Sequence, residues 1–292
     1  MDSTIASDRG NAVLKIFQRL KVAIGVVHCL PLPGAPRWEG APIETIYERA
    51  LRDAQSYVRG GVDGLIIENH GDIPFSKPSE IGPETSAAMA VVTDRIRREF
   101  AVPLGINVLA NAAIPALAVA KASGAAFVRV NQWANAYVAN EGFIEGEAAR
   151  ALRFRSTIGA KDVMIFADAH VKHGAHAIVA DRSVTELTRD LEFFDADAVI
   201  ATGRRTGDAA DLTELEEIAL ATRLPVLVGS GVTTDNVGEI LERAEGVIIG
   251  SSLKTNGVWW EAVDQQRVTA FMRKVADLRG GAAAYTLPWH NF

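Results

Sequence analysis

The chain has 292 residues, 48% hydrophobic and 23% charged, so it can bury a large core at a length close to the roughly 250 residues of one α/β barrel. Thirty basic against thirty-six acidic residues give a net charge of −6, without the basic excess that non-specific nucleic-acid binding needs, so no nucleic-acid partner is expected. A single cysteine, Cys29, excludes an internal disulfide and fits a reducing, cytoplasmic compartment. The opening MDSTIASDRGN has no apolar signal core, and no apolar run approaches the ~18 residues that span a bilayer, which leaves only peripheral membrane contact open.

Taken in chain order, residues 1–20 read as an N-terminal extension ending in a helix. A Val/Ile-rich strand at 22–27 follows. Ile43, Ile46, Tyr47, Ala50, Leu51, Ala54 and Val58 then form one apolar helical face. Further strands are expected at 62–67, 104–109, 126–130 and 163–167. Ser183 and Glu186 stand at capping-box spacing ahead of Leu187 and Leu191. A strand at 198–201 comes next, then Asp211 and Glu214 in a similar arrangement before Leu215 and Ile218. Strands at 226–228 and 246–249 complete the set, and Val263, Val268, Phe271, Val275 and Leu278 mark the last helix. The stretch from 280 onward, AAAYTLPWHNF after two glycines, reads as a hinge and aromatic tail, packed on the barrel's own helices or docked on a second subunit.

Eight short apolar strands of this kind suit a parallel sheet covered on both faces. Alternation with helices and the absence of a linker favour one closed (β/α)8 TIM barrel over residues 21–279. A doubly wound open sheet is the alternative.

In such a barrel the strand C-termini line the active site. The first strand runs into His28, the second into Glu68, Asn69 and His70, and the third contains Asn107. Arg129 and Asn131 end the fourth, Asp168, His170, Lys172 and His173 follow the fifth, and the sixth reaches Thr202, Arg204 and Arg205. Side chains alternate along a strand, so Asp168, His170 and Lys172 share a face if the fifth strand stays extended. Charges at the same end of five or six strands each carry a desolvation cost unless paired or solvated, which makes a functional pocket the better explanation. His173 and His176 are assigned to the loop.

After strands seven and eight come Gly229-Ser230-Gly231 and Gly250-Ser251-Ser252. Glycine lets the backbone approach an oxyanion, and barrels of this class often hold a phosphate at these two loops. Cys29 beside His28 does not make a nucleophile–base pair, because consecutive strand residues face opposite ways. Lys172 or Lys254 is open to Schiff-base chemistry, to a phosphate contact or to a surface position. A metal is possible on Glu68, His70, Asp168 and His170.

The motifs GVVHCLPLPGAP at 25–36, ENHGDIPF at 68–75, GINVLAN at 105–111, FVRVN at 127–131, ADAHVKHGAH at 167–176, VGSGVTTDNV at 228–237 and IGSSLKTNG at 249–257 resemble the BtpA/SgcQ family, over about 14–260. The resemblance implies a barrel of the ribulose-phosphate-binding type. It does not imply one reaction: one family name comes from photosystem I biogenesis and the other from a sugar-uptake gene cluster. The residues favour an enzyme acting on a small phosphorylated sugar or related metabolite by lyase, isomerase or hydrolase chemistry. In that reading His28, Glu68, His70, Asp168, His170 and Lys172 are catalytic, and Asn107, Arg129, Asn131, Thr202 and Arg204 bind substrate. Gly229, Ser230, Gly231, Gly250, Ser251 and Ser252 hold the phosphate. Changing His170 or Asp168 to Ala is expected to abolish turnover and leave the fold intact. The rival is a non-catalytic assembly factor for a membrane complex. A homo-oligomer is the default for a barrel with a hydrophobic tail.

Overall fold

The computed structural model describes residues 10–203 and 211–280. Ten strands run in chain order: β1 (Val22–His28), β2 (Gly64–Glu68), β3 (Leu104–Asn107), β4 (Phe127–Val130), β5 (Ala136–Ala139), β6 (Gly142–Glu145), β7 (Met164–Asp168), β8 (Ala198–Thr202), β9 (Val226–Gly229) and β10 (Gly246–Ile249). Eight of them close a barrel in the order β1-β10-β9-β8-β7-β4-β3-β2, every pairing parallel. The eight strands expected from the sequence are these eight.

The eight barrel strands have no exposed face. Inward side chains such as Ile24, Ile66, Phe127, Phe166, Ile200, Leu227 and Ile248 fill the barrel, and the outward ones pack beneath helices. Phe127 and Phe166 stack with ring centroids 4.6 Å apart. Helix α1 (Ala12–Phe17) plugs the N-terminal mouth with Ala12, Val13 and Phe17. Helix α2 (Ile43–Gly60) buries Ile46, Ala50, Ala54 and Tyr57. The Tyr57 ring lies so near β1 that a Cβ on Gly25 would fall 2.6 Å from it, so the close helix–strand approach requires glycine there.

Helices α3 (Pro83–Glu99), α4 (Ala113–Ser123), α5 (Ala148–Thr157), α6 (Val184–Phe193), α7 (Leu212–Ala221), α8 (Val237–Leu241) and α9 (Gln265–Gly280) complete the outer layer. The Ser183–Glu186 capping box forms as expected. Asp211 also caps its helix, accepting from the Thr213 amide, but Glu214 turns away to a histidine described below.

Three departures from the sequence reading matter. β3 ends at Asn107 instead of running to 109, and β7, expected at 163–167, ends at Asp168, so the extended run that would align Asp168, His170 and Lys172 does not form. The unforeseen antiparallel hairpin β5–β6 leaves the barrel after β4, and Val138 pairs with Ala175 in the loop after β7. Arg204, Arg205 and the tail from 281 lie outside the described residues. Among those described, no helix is long and apolar enough to cross a membrane.

Candidate functional site

Register assembles the first part of the site. Across three neighbouring strands His28 pairs with Glu68 and Glu68 with Asn107, so all three stand at one level of the mouth. Asn107 Nδ2 donates to Glu68 Oε2 at 2.6 Å. After β2 the chain enters a 3₁₀ turn, His70–Asp72, that brings His70 Nδ1 to 2.8 Å from Glu68 Oε1. The two imidazoles stack at 4.6 Å, and the Trp259 ring caps His70 edge-on at 4.4 Å.

Hydrogen-bond chemistry fixes the His28 tautomer. His28 Nδ1 lies 3.0 Å from the Trp259 carbonyl, which only accepts, so Nδ1 carries the proton and the lone pair sits on Nε2, 3.6 Å from Glu68 Oε1. Burial, with help from the nearby Lys254 charge, pushes His28 down to about 3, so the ring is neutral near pH 7. Burial alone would raise Glu68. The hydrogen bond and charge of His70, with Arg129 behind them, outweigh it and hold the carboxylate ionised, below the usual range.

The second part lies on β4 and β7. Arg129 grips Asp168 at two points, Nε to Oδ1 at 3.0 Å and Nη2 to Oδ2 at 2.9 Å, and Asn131 Nδ2 adds a contact to Oδ2 at 3.3 Å. Burial would lower the guanidinium, but Asp168 outweighs it and raises Arg129 above its ordinary value. Glu68 and Asp168 only accept, so Asn107 and Asn131 must turn their nitrogens toward them. Their oxygens, Asn107 Oδ1 and Asn131 Oδ1, are left buried without a partner among the described residues.

The third part is a cradle of small residues. Ser230 and Gly231 both take positive φ, +73° and +63°, which opens the loop after β9. The loop is braced by Asn236, which donates to the Gly231 carbonyl at 2.8 Å, and by Ser252, which donates to the Val232 carbonyl at 2.6 Å. Lys172 reaches across from the loop after β7 to donate to Ser230 Oγ at 2.5 Å. Burial first, then the Arg129 charge, push Lys172 down to about 8.

A cavity of about 450 Å³ joins these parts. His28, Glu68, His70, Arg129 and Lys172 line one side, and the loops 230–235 and 250–252 line the other. A Cβ on Gly250 would press within 3.3 Å of the His28 ring.

The remaining expected residues are placed differently. Asn107, Asn131 and Asp168 stand behind the lining side chains as partners, and Gly229 lies below, against Ile200 and Arg129. Thr202 donates its hydroxyl to the His170 carbonyl at 3.0 Å. His170 itself leaves the mouth. With β7 finished at Asp168, the chain bends, and His170 Nδ1 meets Glu214 Oε1 of α7 at 2.9 Å, its ring 4.1 Å from His176. The metal set Glu68, His70, Asp168 and His170 therefore does not assemble; among the described residues only His28, Glu68 and His70 bring three ligand atoms within 4.8 Å of one another. Lys254 is neither a surface residue nor part of the cavity lining. It is 1% exposed, its Nζ 3.9 Å from Asp53, and burial pushes it down to about 8. Trp259, Thr233, Thr234, Asp235 and Arg267 are the site residues the sequence reading missed. The Trp259–Trp260 pair just past the eighth strand was the available signal.

A closed parallel eight-stranded barrel with a polar cavity at its strand C-termini is a TIM barrel. The chain belongs to the BtpA family, whose model matches residues 19–277, as the motif resemblance implied. It is 43% identical over 253 residues to an uncharacterised protein of Archaeoglobus fulgidus, covering 87% of this chain and 98% of that one. It is 41% identical over 266 residues to the photosystem I biogenesis protein BtpA of Synechocystis, covering 91% of each. Among solved structures it resembles thiamine phosphate pyrophosphorylase from Pyrococcus furiosus, with TM-score 0.53 and 16% identity over 89% of this chain and 96% of that one. It also resembles N-(5'-phosphoribosyl)anthranilate isomerase from the same organism, with TM-score 0.55 and 13% identity over 88% and 99%. At such identities the likeness is one of fold.

Proposed function

We propose that the protein is an enzyme acting on a small phosphorylated metabolite of the sugar-phosphate class. The observation that carries this reading is the single cavity that joins an anion-suited cradle to a histidine–carboxylate cluster. Phosphate oxygens would take the 230–234 and 250–252 backbone amides and hydroxyls, with Lys172 and Arg267 supplying charge. The reacting carbon would then face His28, Glu68 and His70.

Glu68 is held ionised, so it orients and does not donate a proton. It fixes His70 through Nδ1, and proton transfer would run through His70 Nε2. His28, neutral with a bare Nε2, is a second acceptor. Lys172 would stabilise negative charge that develops near Ser230. Proton transfer of this kind serves aldol cleavage and isomerisation alike, and the same cluster also suits metal-assisted hydrolysis. The name of the Synechocystis relative favours a second reading, an assembly factor, under which the buried acid–base cluster would have no task.

A thermal-shift screen with phosphorylated pentoses, hexoses and nucleotides tests the proposal. At 100 times the dissociation constant a ligand adds about 2.7 kcal/mol, several degrees for a chain of this size. A selective shift that Ser230→Ala removes is the expected result. No shift from folded protein with any of them overturns it.

A further inference from the structure

We infer that His28, Glu68 and His70 form a binding site for one divalent transition-metal ion, of the zinc, iron, cobalt or manganese type. Whether an ion binds stands on the geometry alone; only what it does there rests on the proposed function.

The donor set is two imidazoles and one carboxylate, which suits borderline-soft first-row ions; magnesium and calcium prefer all-oxygen sets. The two separations from Glu68 Oε1 are close to those of ligands on a single ion. Ligands about 2.05 Å from a common centre stand roughly 2.9 Å apart at a right angle and 3.3 Å apart at the tetrahedral angle. Glu68 Oε1 lies 2.8 Å from His70 Nδ1 and 3.6 Å from His28 Nε2, and the three ligand atoms fall within 4.8 Å of one another. Side-chain rotation that brings the two imidazole nitrogens to about 4 Å or less would close the set. As the ion enters, His70 shifts to the tautomer protonated at Nε2, so the metal takes the place of the bridging Nδ1 proton and the ring ligates as a neutral imidazole.

Two outer contacts are already arranged as a metal site requires. The Trp259 carbonyl holds His28 Nδ1–H and points the Nε2 lone pair at Glu68. Asn107 occupies Glu68 Oε2 and leaves Oε1 to ligate. Such partners orient ligands and commonly carry 10–100-fold in affinity. The nearby Arg129 charge does not oppose a cation strongly, because Asp168 neutralises it at two points. All three ligands also line the cavity, so the remaining coordination positions would face it, as in sites where a metal meets substrate.

The rim histidines supply the contrast. His170 and His176 sit 4.1 Å apart ring to ring, but His176 Nε2 is engaged by the Val171 carbonyl, and with Glu214 they do not bring three ligand atoms within 4.8 Å of one another.

The test is a titration of chelator-stripped full-length protein with Co²⁺, read by visible ligand-field absorption, and with Zn²⁺, read by calorimetry. One equivalent should bind to the wild type, with a millimolar excess of Mg²⁺ failing to displace it. His28→Gln and His70→Gln should each weaken binding at least 100-fold, and Asn107→Ala 10–100-fold. His176→Gln should bind as the wild type does. Paramagnetically shifted imidazole signals from the Co²⁺ form report two histidine ligands without any variant, so a misfolded variant does not decide the matter. Binding no tighter than in the His28→Gln/His70→Gln double variant, or no shifted imidazole signals, overturns the inference. A phosphate-dependent thermal shift that survives that failure leaves the proposed function standing, so the two fail separately.

Discussion

Two histidine–carboxylate pairs of nearly equal length lie past the strand ends in opposite settings, His70–Glu68 at 2.8 Å inside the mouth of the barrel and His170–Glu214 at 2.9 Å on the rim outside it. Glu68 is a strand residue in register with His28 and Asn107, and both members of its pair are largely buried. His170 lies two residues past the end of β7, and its pair with Glu214 is about a third exposed on each side, 32% and 29%. A hydrogen bond of given length means different things in the two places. Register and burial, and not residue type or position after a strand, decide which polar groups converge on the cavity.

The largest effect that would sharpen this contrast concerns stability. Asp168 is fully buried against Arg129, so Asp168→Ala leaves a guanidinium buried and unpaired. The expected loss is about 3–5 kcal/mol, on the order of 10 °C in melting temperature. This revises the expectation that the substitution leaves the fold intact. Glu214→Ala on the rim, about a third exposed, should cost less than about 1 kcal/mol. Thermal or urea unfolding of both variants decides; equal losses would break the contrast.

Turnover comes next. Once a substrate is identified, Glu68→Gln should lower kcat by about 100-fold or more, because the charge is lost and the amide, with one oxygen and one NH2, cannot accept from both His70 Nδ1 and Asn107 Nδ2. Glu214→Gln should stay within about threefold. The reverse order would move the chemistry to the rim.

How far the sequence reached follows from the same contrast. The eight strands were legible because a parallel strand covered on both faces must be apolar throughout, as 226–228 and 246–249 are. His28, Glu68 and Asn107 were legible as strand ends. His170 was misplaced because alternation was extended past Asp168, where the chain had already turned. The hairpin β5–β6 escaped notice because its four-residue strands, AYVA and GFIE, are short and only half buried. Trp259 acts through its backbone carbonyl on a residue 231 positions away, and nothing local encodes that.

Lys172 gives a smaller, pH-dependent effect. Burial holds it near 8, so it is charged below that pH and neutral above it. A phosphate monoester is already a dianion by then, since its second pKa is near 6. Affinity for a phosphorylated ligand should therefore fall as pH rises through about 8, by roughly ten- to a hundredfold, the worth of one charged hydrogen bond. Lys172→Arg should flatten that profile. Stability of the ligand-free protein runs the other way: an unfolded lysine keeps its proton to about 10.4, so between 8 and that value the unfolded chain binds more protons and the folded state gains. Calorimetric titrations at pH 7 and 9.5 separate the two trends.

The smallest effect is the most direct test of the contrast. Double-mutant cycles on the two pairs, with His→Gln and Glu→Gln in each, measure the couplings themselves. The rim pair His170–Glu214 should couple by less than about 1 kcal/mol, because water competes for both partners and salt screens them. The inner pair His70–Glu68 should couple by about 1.5–3 kcal/mol, since burial removes that competition and Asn107 holds the carboxylate in place. Raising the salt concentration should shrink the rim value further and leave the inner one nearly unchanged. A rim coupling as large as the inner one would mean that a separation near 2.9 Å sets the energy by itself. The distinction between register-held and rim-held groups would then lose its physical basis.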